Sequence, residues 1–354
     1  MLVRLRRQIA LRPGAERLNI SGNEEVNTRV LNWLLEEDQP AVRHRALIDL
    51  LDRKSSDSEV RKVTSRIALQ GWARDLLKLQ ERGGYWETGL PSWSKDPVGW
   101  MEFLYRPKFV ATNWRALVLA DLGLTSEDRR IRKVADLFFN YKLRTRSPFN
   151  FFNEEACIVG NTARMLTQFG YADDYRVKKL FDRLLEDQLE DGGWNCFGPE
   201  RGTLDNWEPM AAYAALPRQK RTRRIRQSIT RGAEFYLERR LFREGKSKYP
   251  PWFRFHYPNH YYYDILIGLD VLTSVGYGGD RRLGPALEIL KHKRQSDGTW
   301  LIDAVHPDLG SGVTESSYGV EGSVKPFWLE EAGNPSKWIT LIALRVLKRV
   351  EEAS

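Results

Sequence analysis

A chain of 354 residues with 42% hydrophobic and 12% aromatic side chains has apolar content ample for a substantial core, as one large domain or two ordinary ones. Two cysteines exclude a disulfide framework, and no apolar run reaches the length of a membrane span. Met1 to Arg12 breaks its apolar residues with Arg4, Arg6, Arg7 and Gln8 where a signal peptide needs a continuous stretch, so a soluble, cytoplasmic protein is expected.

In chain order, residues 1–23 read as an N-terminal extension and 24–354 as a single domain of paired helices. Helical periodicity dominates and strand alternation is scarce. Six consecutive pairs are expected: 24–36 with 41–52, 58–80 with 112–122, 126–142 with 155–169, 173–188 with 206–216, 220–242 with 260–275, and 280–293 with 336–350. The first member of each pair is amphipathic and the second more apolar, which suits an outer and an inner layer. Several inner helices stop at Gly followed by an apolar residue (Gly123, Gly170, Gly276), and Pro217 takes that place in the fourth pair. Asp173-Asp174 opens an outer helix, where Asp caps the N-terminus.

Links from an inner to the next outer helix are short, whereas those from outer to inner are long: 81–111, 143–154, 189–205, 243–259 and 294–335. Loops longer than about 12 to 15 residues inside a compact domain are usually functional. All five fall at the end where the inner helices begin, which is therefore expected to be the working face.

Three of the outer helices end on a recurring signature: Gln80-Glu81-Arg82-Gly83-Gly84-Tyr85-Trp86, Gln188-Leu189-Glu190-Asp191-Gly192-Gly193-Trp194, and Gln295-Ser296-Asp297-Gly298-Thr299-Trp300. The glutamines stand 108 and 107 residues apart, a period that signals a repeat architecture. In each copy the helix stops near Gln, Gly supplies the positive φ of the stop, and Trp folds back as an apolar plug. This pattern resembles the Gln-Trp repeat of terpenoid cyclases and the Gly-Gly-aromatic repeat of protein prenyltransferase β-subunits. The resemblance implies an all-α fold, an (α/α)6 toroid of six outer–inner helix pairs. It also implies an isoprenoid or other elongated apolar ligand in an aromatic central cavity. The Asp-x-Asp-Asp motif of the class II cyclases is absent, so any such chemistry would run on single acid/base groups.

The long loops and inner-helix starts are rich in aromatic residues. Trp114, Trp207, Trp252, Tyr261, Tyr262 and Trp338 are the expected ligand contacts, with Arg43 and Asn161 as polar partners. The same aromatics would equally pack a small core over the mouth of the ring. Asp264, His260, Asp205 and Glu208 are the acid/base candidates. Asp264 is preferred because Tyr261 to Tyr263 could desolvate it, and because a helix through 260–264 would set it beside His260 at i, i+4. Arg43 and His44 lie in an apolar-patterned helix, where a charge normally needs a partner.

Both cysteines fall on this face. No cofactor is certain, but zinc is a candidate through Cys157, Cys196, Asp205 and His260. The prenyltransferase pattern is not intact here, since Trp207 stands where that family places its Cys. Two small buried thiols are the structural alternative.

The net charge of +9 concentrates in Arg218 to Lys248, which would favour peripheral contact with an acidic membrane or simply solvate an outer helix. No nucleic-acid motif accompanies it, so no specific nucleic-acid partner is expected. A protein partner at the aromatic mouth is a further expectation. Two other functions stay open: an intracellular carbohydrate-active (α/α)6 enzyme, and a non-catalytic binding or scaffold toroid.

Overall fold

The computed structural model describes residues 28–86, 103–106, 109–143, 152, 154–196, 198, 200–243, 249–260, 262–305 and 327–354. The expected N-terminal extension lies outside the described residues, as does Tyr261. The first pair is α1 (Thr28–Leu34) and α2 (Pro40–Arg45), the latter continued by a π turn over Ala46–Leu50. In the second, α3 (Ser58–Ile67) and α4 (Gly71–Lys78) together form the outer layer, with α5 (Thr112–Asp121) inside. Then come α6 (Arg129–Leu137) with α7 (Ala156–Leu166), and α8 (Tyr175–Glu186) with α9 (Glu208–Ala215). The last pairs are α10 (Arg223–Glu238) with α11 (Ile265–Ser274), and α12 (Gly284–His292) with α13 (Lys337–Glu352).

The fold is an all-α toroid. Inner helix α7 packs on α5 and α9, α9 on α11, α11 on α13, and α13 returns to α1 and α2. Ion pairs mark that closure. Lys337 Nζ reaches Glu36 and Asp38 at 2.7 and 2.9 Å, Arg345 Nη1 reaches Asp49 at 3.2 Å, and Lys348 Nζ reaches Asp52 at 2.5 Å. Among the described residues no helix is long and apolar enough to cross a membrane.

Four of the entries into the outer layer are alike, whereas α10 is capped by Thr222, which accepts from Ile225 N. Asp57, Asp128, Asp174 and Asp280 each accept a hydrogen bond from the backbone N–H two residues on, satisfying a donor the helix leaves free. In three of them that second residue is an arginine (Arg130, Arg176, Arg282) whose guanidinium returns to the same carboxylate. The capping role expected of Asp174 is what forms. The inner helices, by contrast, are buried nearly all round: every residue from Ile265 to Thr273 is covered.

The signature tryptophans pack between helices, as expected. The indole N–H groups of Trp86, Trp194 and Trp300 donate to the carbonyls of Leu76, Leu184 and Leu290 at 2.8, 2.9 and 2.8 Å. Each acceptor lies ten residues back, in the outer helix just completed, so Trp closes its C-terminal end. Gly192 turns with φ of 88°, and a Cβ there would stand 2.4 Å from the Arg231 carbonyl, so neither conformation nor space admits a side chain.

One detail of the repeat is corrected. Gln80 and Gln188 donate to the carbonyls of Gly84 and Gly192 and to those of Arg130 and Ser228 in the next outer helix. The third copy has one residue fewer between Gln and Trp. Arg294 takes the corresponding place and lays its guanidinium over the Trp300 ring at 5.6 Å. Gln295 instead donates its backbone N–H to Thr299, as Glu81 does to Tyr85 and Leu189 to Gly193. The elements shared by all three copies are the tryptophan, this backbone bond and a glycine of positive φ (Gly84, Gly192, Gly298).

The described parts of all five long links meet at the end where inner helices begin. Tyr105 packs on Phe152, Phe109 on His260, and His260 on Phe327, with ring centroids 6.3, 5.2 and 6.0 Å apart. Trp252 Nε1 donates to Asp205 at 2.8 Å, and Phe255 N to Asp303 at 2.7 Å.

Candidate functional site

This loop cluster is a plug. Trp114, Trp252 and Tyr263 are buried in it, and Tyr262 is half-buried. The cavity lies behind it, in the lumen of the ring, with a volume of about 200 Å³. Every inner helix contributes to its wall, α5 through Asp121 alone and the others at helical spacing: Arg45 and Asp49; Arg164 and Gln168; Ala211, Ala214 and Ala215; Ile267, Asp270 and Ser274; and Ile342, Arg345 and Arg349. Tyr257, Asn259, Trp207 and Trp338 face it from the plugged end.

The lumen is charged, with four arginines and three aspartates in its wall. Arg345 forms a two-point pair with Asp270, through Nε at 2.7 Å and Nη2 at 2.6 Å, and Arg349 adds a contact at 2.9 Å. Burial alone would raise the Asp270 pKa, but Arg345 and Arg349 outweigh it and hold the carboxyl below its ordinary value. Arg164 Nη1 donates to Asp121 at 2.9 Å, Gln168 to the same oxygen at 3.3 Å, and Arg164 Nη2 to Asn161 at 3.3 Å. The buried Tyr257 hydroxyl stands beside Asp121 without meeting hydrogen-bond geometry. Burial first, and then the Asp121 charge, push its pKa well up, so the phenol keeps its proton.

Several expected site residues fall elsewhere. Asp264 does not sit inside a helix beside His260. It is the N-cap of α11, accepting from Ile267 N at 2.8 Å, and its other oxygen lies 2.8 Å from His256 Nδ1. The i, i+4 relation fails because helix begins only at Ile265, and His260, with φ of 50°, turns away. Its ring lies among Phe109, Trp114 and Phe327. His256, from the same face, is the imidazole that Asp264 holds.

Arg43 faces Glu59 and Glu37, outside the lumen, and burial, followed by the charge of Arg45, lowers the His44 pKa to about 4. Burying a histidine in its neutral form satisfies the apolar helix without an ion pair. Of the expected ligand contacts, Trp207 and Trp338 line the lumen, and Asn161 reaches it through Arg164 while donating to the His260 carbonyl at 2.7 Å.

The cysteines do converge. Their sulfurs stand 2.9 Å apart, and Cys196 Sγ also accepts from Cys157 N and Asn206 Nδ2, each at 3.2 Å. Asp205 and His260 do not complete a metal tetrad with them: Asp205 accepts from Trp252 and His260 lies in the aromatic plug. Among the described residues no three His, Cys, Asp or Glu side chains are grouped to hold a metal.

Glu208 opens α9 with its side chain fully buried, and neither carboxyl oxygen meets a partner in another of the described residues. Burial, and secondarily the Cys196 charge, push its pKa well above the ordinary value. The folded state therefore holds a proton that the unfolded chain releases, so Glu208 lowers stability as pH rises above the unfolded carboxyl pKa. Glu208→Gln is expected to raise the unfolding free energy by about 1–3 kcal/mol near neutrality, with the gain shrinking toward pH ~4. Urea melts of both proteins across that range check the sign.

No family model matches the chain, and no curated protein does. A solved structure of a polysaccharide lyase is similar to it at 12% identity, with a TM-score of 0.48, over 92% of this chain and 97% of that one. The resemblance to terpenoid cyclases and prenyltransferase β-subunits is not upheld, since no family model matches. The lumen gives the physical side of the correction, because a wall of paired arginines and aspartates is not the apolar cage an isoprenoid needs.

Proposed function

We propose that the lumen is a carbohydrate site and that its ligand is an acidic sugar, bound end-on as a single ring. The observation that carries this reading is the composition of the wall. Arginines and carboxylates offer directional partners for hydroxyls, one arginine stands in excess, and Trp207, Trp338 and Tyr257 supply flat faces at the plugged end. The volume is below the roughly 300–1,000 Å³ of pockets that enclose drug-sized ligands, which favours one ring over an extended chain.

Tyr257 is the group suited to proton transfer. Its phenol O–H faces the lumen from the plugged end, so position makes it the wall's hydroxyl donor to a departing glycosidic oxygen, although burial and the Asp121 charge weaken it as an acid. Asp270 and Asp121 are engaged by Arg345 and Arg164, which leaves them as organising groups rather than the paired free carboxylates of a glycoside hydrolase.

The test is calorimetric and enzymatic, with uronic-acid oligosaccharides against neutral oligosaccharides of equal length. Acidic sugars should bind more tightly, and Arg45→Gln, which removes one charge from the wall, should weaken them about tenfold while leaving neutral sugars unaffected. Tyr257→Phe should retain binding and reduce product formation by about 10²–10⁴-fold. Equal affinity for both sugar sets would overturn the acidic-ligand reading, and full turnover in Tyr257→Phe would remove the tyrosine from the chemistry.

A further inference from the structure

Cys157 and Cys196 are the only cysteines of the chain, and they come from segments with different mechanical roles. Cys157 lies in the first turn of α7, an eleven-residue inner helix, and heads the stripe that continues through Asn161 and Arg164 to Gln168 at the lumen wall. Cys196 follows the second signature tryptophan, in the link that crosses to α9. The two sulfurs are 2.9 Å apart and unbonded, and both side chains are partly exposed.

The surroundings of the two sulfurs differ. Cys196 Sγ accepts the Cys157 backbone N–H, which points out of the N-terminus of α7, and the Asn206 amide, both at 3.2 Å. Two N–H donors and a helix N-terminus stabilise negative charge on that sulfur. Cys157 Sγ lies against the Cys196 sulfur, and that contact together with burial keeps its own proton on. Such an unequal pair, one sulfur electron-rich and partly open, the other held against it, is the arrangement of an attacking and a resolving thiol.

We propose that Cys196 and Cys157 form a hydroperoxide-reactive dithiol, with Cys196 attacking and Cys157 resolving. The Cys196 thiolate attacks the distal peroxide oxygen, so an S–O bond forms as the O–O bond breaks. The product is Cys196 sulfenic acid, and the displaced alkoxide takes a proton from solvent and leaves as an alcohol, or as water when the oxidant is hydrogen peroxide. The Cys157 sulfur then attacks the sulfenic sulfur, its proton leaves with the hydroxyl as water, and the S–S bond forms. Two thiols are oxidised by two electrons and one peroxide O–O bond is reduced. The sulfurs must close by somewhat less than 1 Å to reach the ~2.05 Å of a disulfide, a shift within reach of side-chain rotation. The bond ties the 189–205 link to the head of α7, across 39 residues of chain, above the lumen.

The test uses the full chain, reduced and then freed of reductant. With hydrogen peroxide the wild type should lose both titratable thiols and two hydrogens from its intact mass. Cys157→Ser should stop at a Cys196 sulfenic acid that dimedone traps, whereas Cys196→Ser should yield neither product at the same peroxide dose. Differential alkylation of the unmutated protein, read by peptide mass, should show Cys196 reacting about tenfold faster than Cys157 at neutral pH. That measurement holds the proposal to account even if a variant misfolds. Equal alkylation rates, a sulfenic acid on Cys157 instead, or peroxide resistance of both thiols would overturn it. So would one zinc ion per chain retained by the reduced protein, which would make the pair metal ligands.

Discussion

Asp270→Ala is expected to lower the unfolding free energy by about 3–5 kcal/mol, among the largest effects of any single change in the lumen. The carboxylate is the shared partner of Arg345 and Arg349, and Arg345 also reaches Asp49 across the seam where α13 meets the first pair. Removing it strands guanidinium charge in a wall where burial already penalises the charged form. Asp270→Asn keeps the shape and should cost less, because the amide still accepts hydrogen bonds from both arginines. The pH dependence follows from the direction of the shift. A carboxyl held below its unfolded pKa contributes stability that is fully present above the unfolded value and is lost as pH falls through the folded one. Wild type should therefore lose its advantage over Asp270→Asn only below about pH 4. Chemical denaturation of the three proteins at neutral and acidic pH decides it: equal stability of wild type and Asp270→Ala would mean that the cluster does not hold the ring closed.

Trp194→Ala should cost a similar ~3–5 kcal/mol, the range for emptying a fully buried aromatic site. The loss has two parts that a second variant separates. Trp194→Phe retains much of the apolar volume and forfeits the hydrogen bond to the Leu184 carbonyl, an expected loss of about 1–3 kcal/mol since that carbonyl ends buried without a donor. The equivalent changes at Trp86 and Trp300 should rank the same way, because the indole in each copy closes the outer helix ten residues behind it. A thermal midpoint unchanged in Trp194→Ala would refute the mechanical account of the repeat.

The repeat was legible because everything it does is local. Tryptophan, its glycine and its acceptor carbonyl lie within ten residues, so composition and spacing carry the geometry. The same holds for Asp174, whose capping partner is Arg176 N. Even there a single deleted residue moved Gln295 out of the place its letter suggested, and only the backbone bond to Thr299 reveals the register.

The charged lumen does leave a trace in the sequence. Asp121, Arg164, Asp270 and Arg345 are charged residues inside apolar helices, and burial of a charge there demands a partner. The partners could not be named, since Arg164 finds Asp121 across 43 residues and Arg345 finds Asp49 across 296. The expectation for Asp264 failed for a related reason. Its i, i+4 relation to His260 holds only if both residues are helical, and helix begins one residue after Asp264.

By itself, then, the sequence determined the six helix pairs, the polarity of the long loops and the structural place of the signature tryptophans, because helical period, caps and turns are set by neighbours in the chain. Tertiary structure alone decided that the aromatic loops are a plug, that the lumen behind them is charged, that His256 rather than His260 meets Asp264, and that two cysteines 39 residues apart touch. Those facts depend on how a closed ring brings the faces of separate helices together. No local period encodes which side chain waits on the other side.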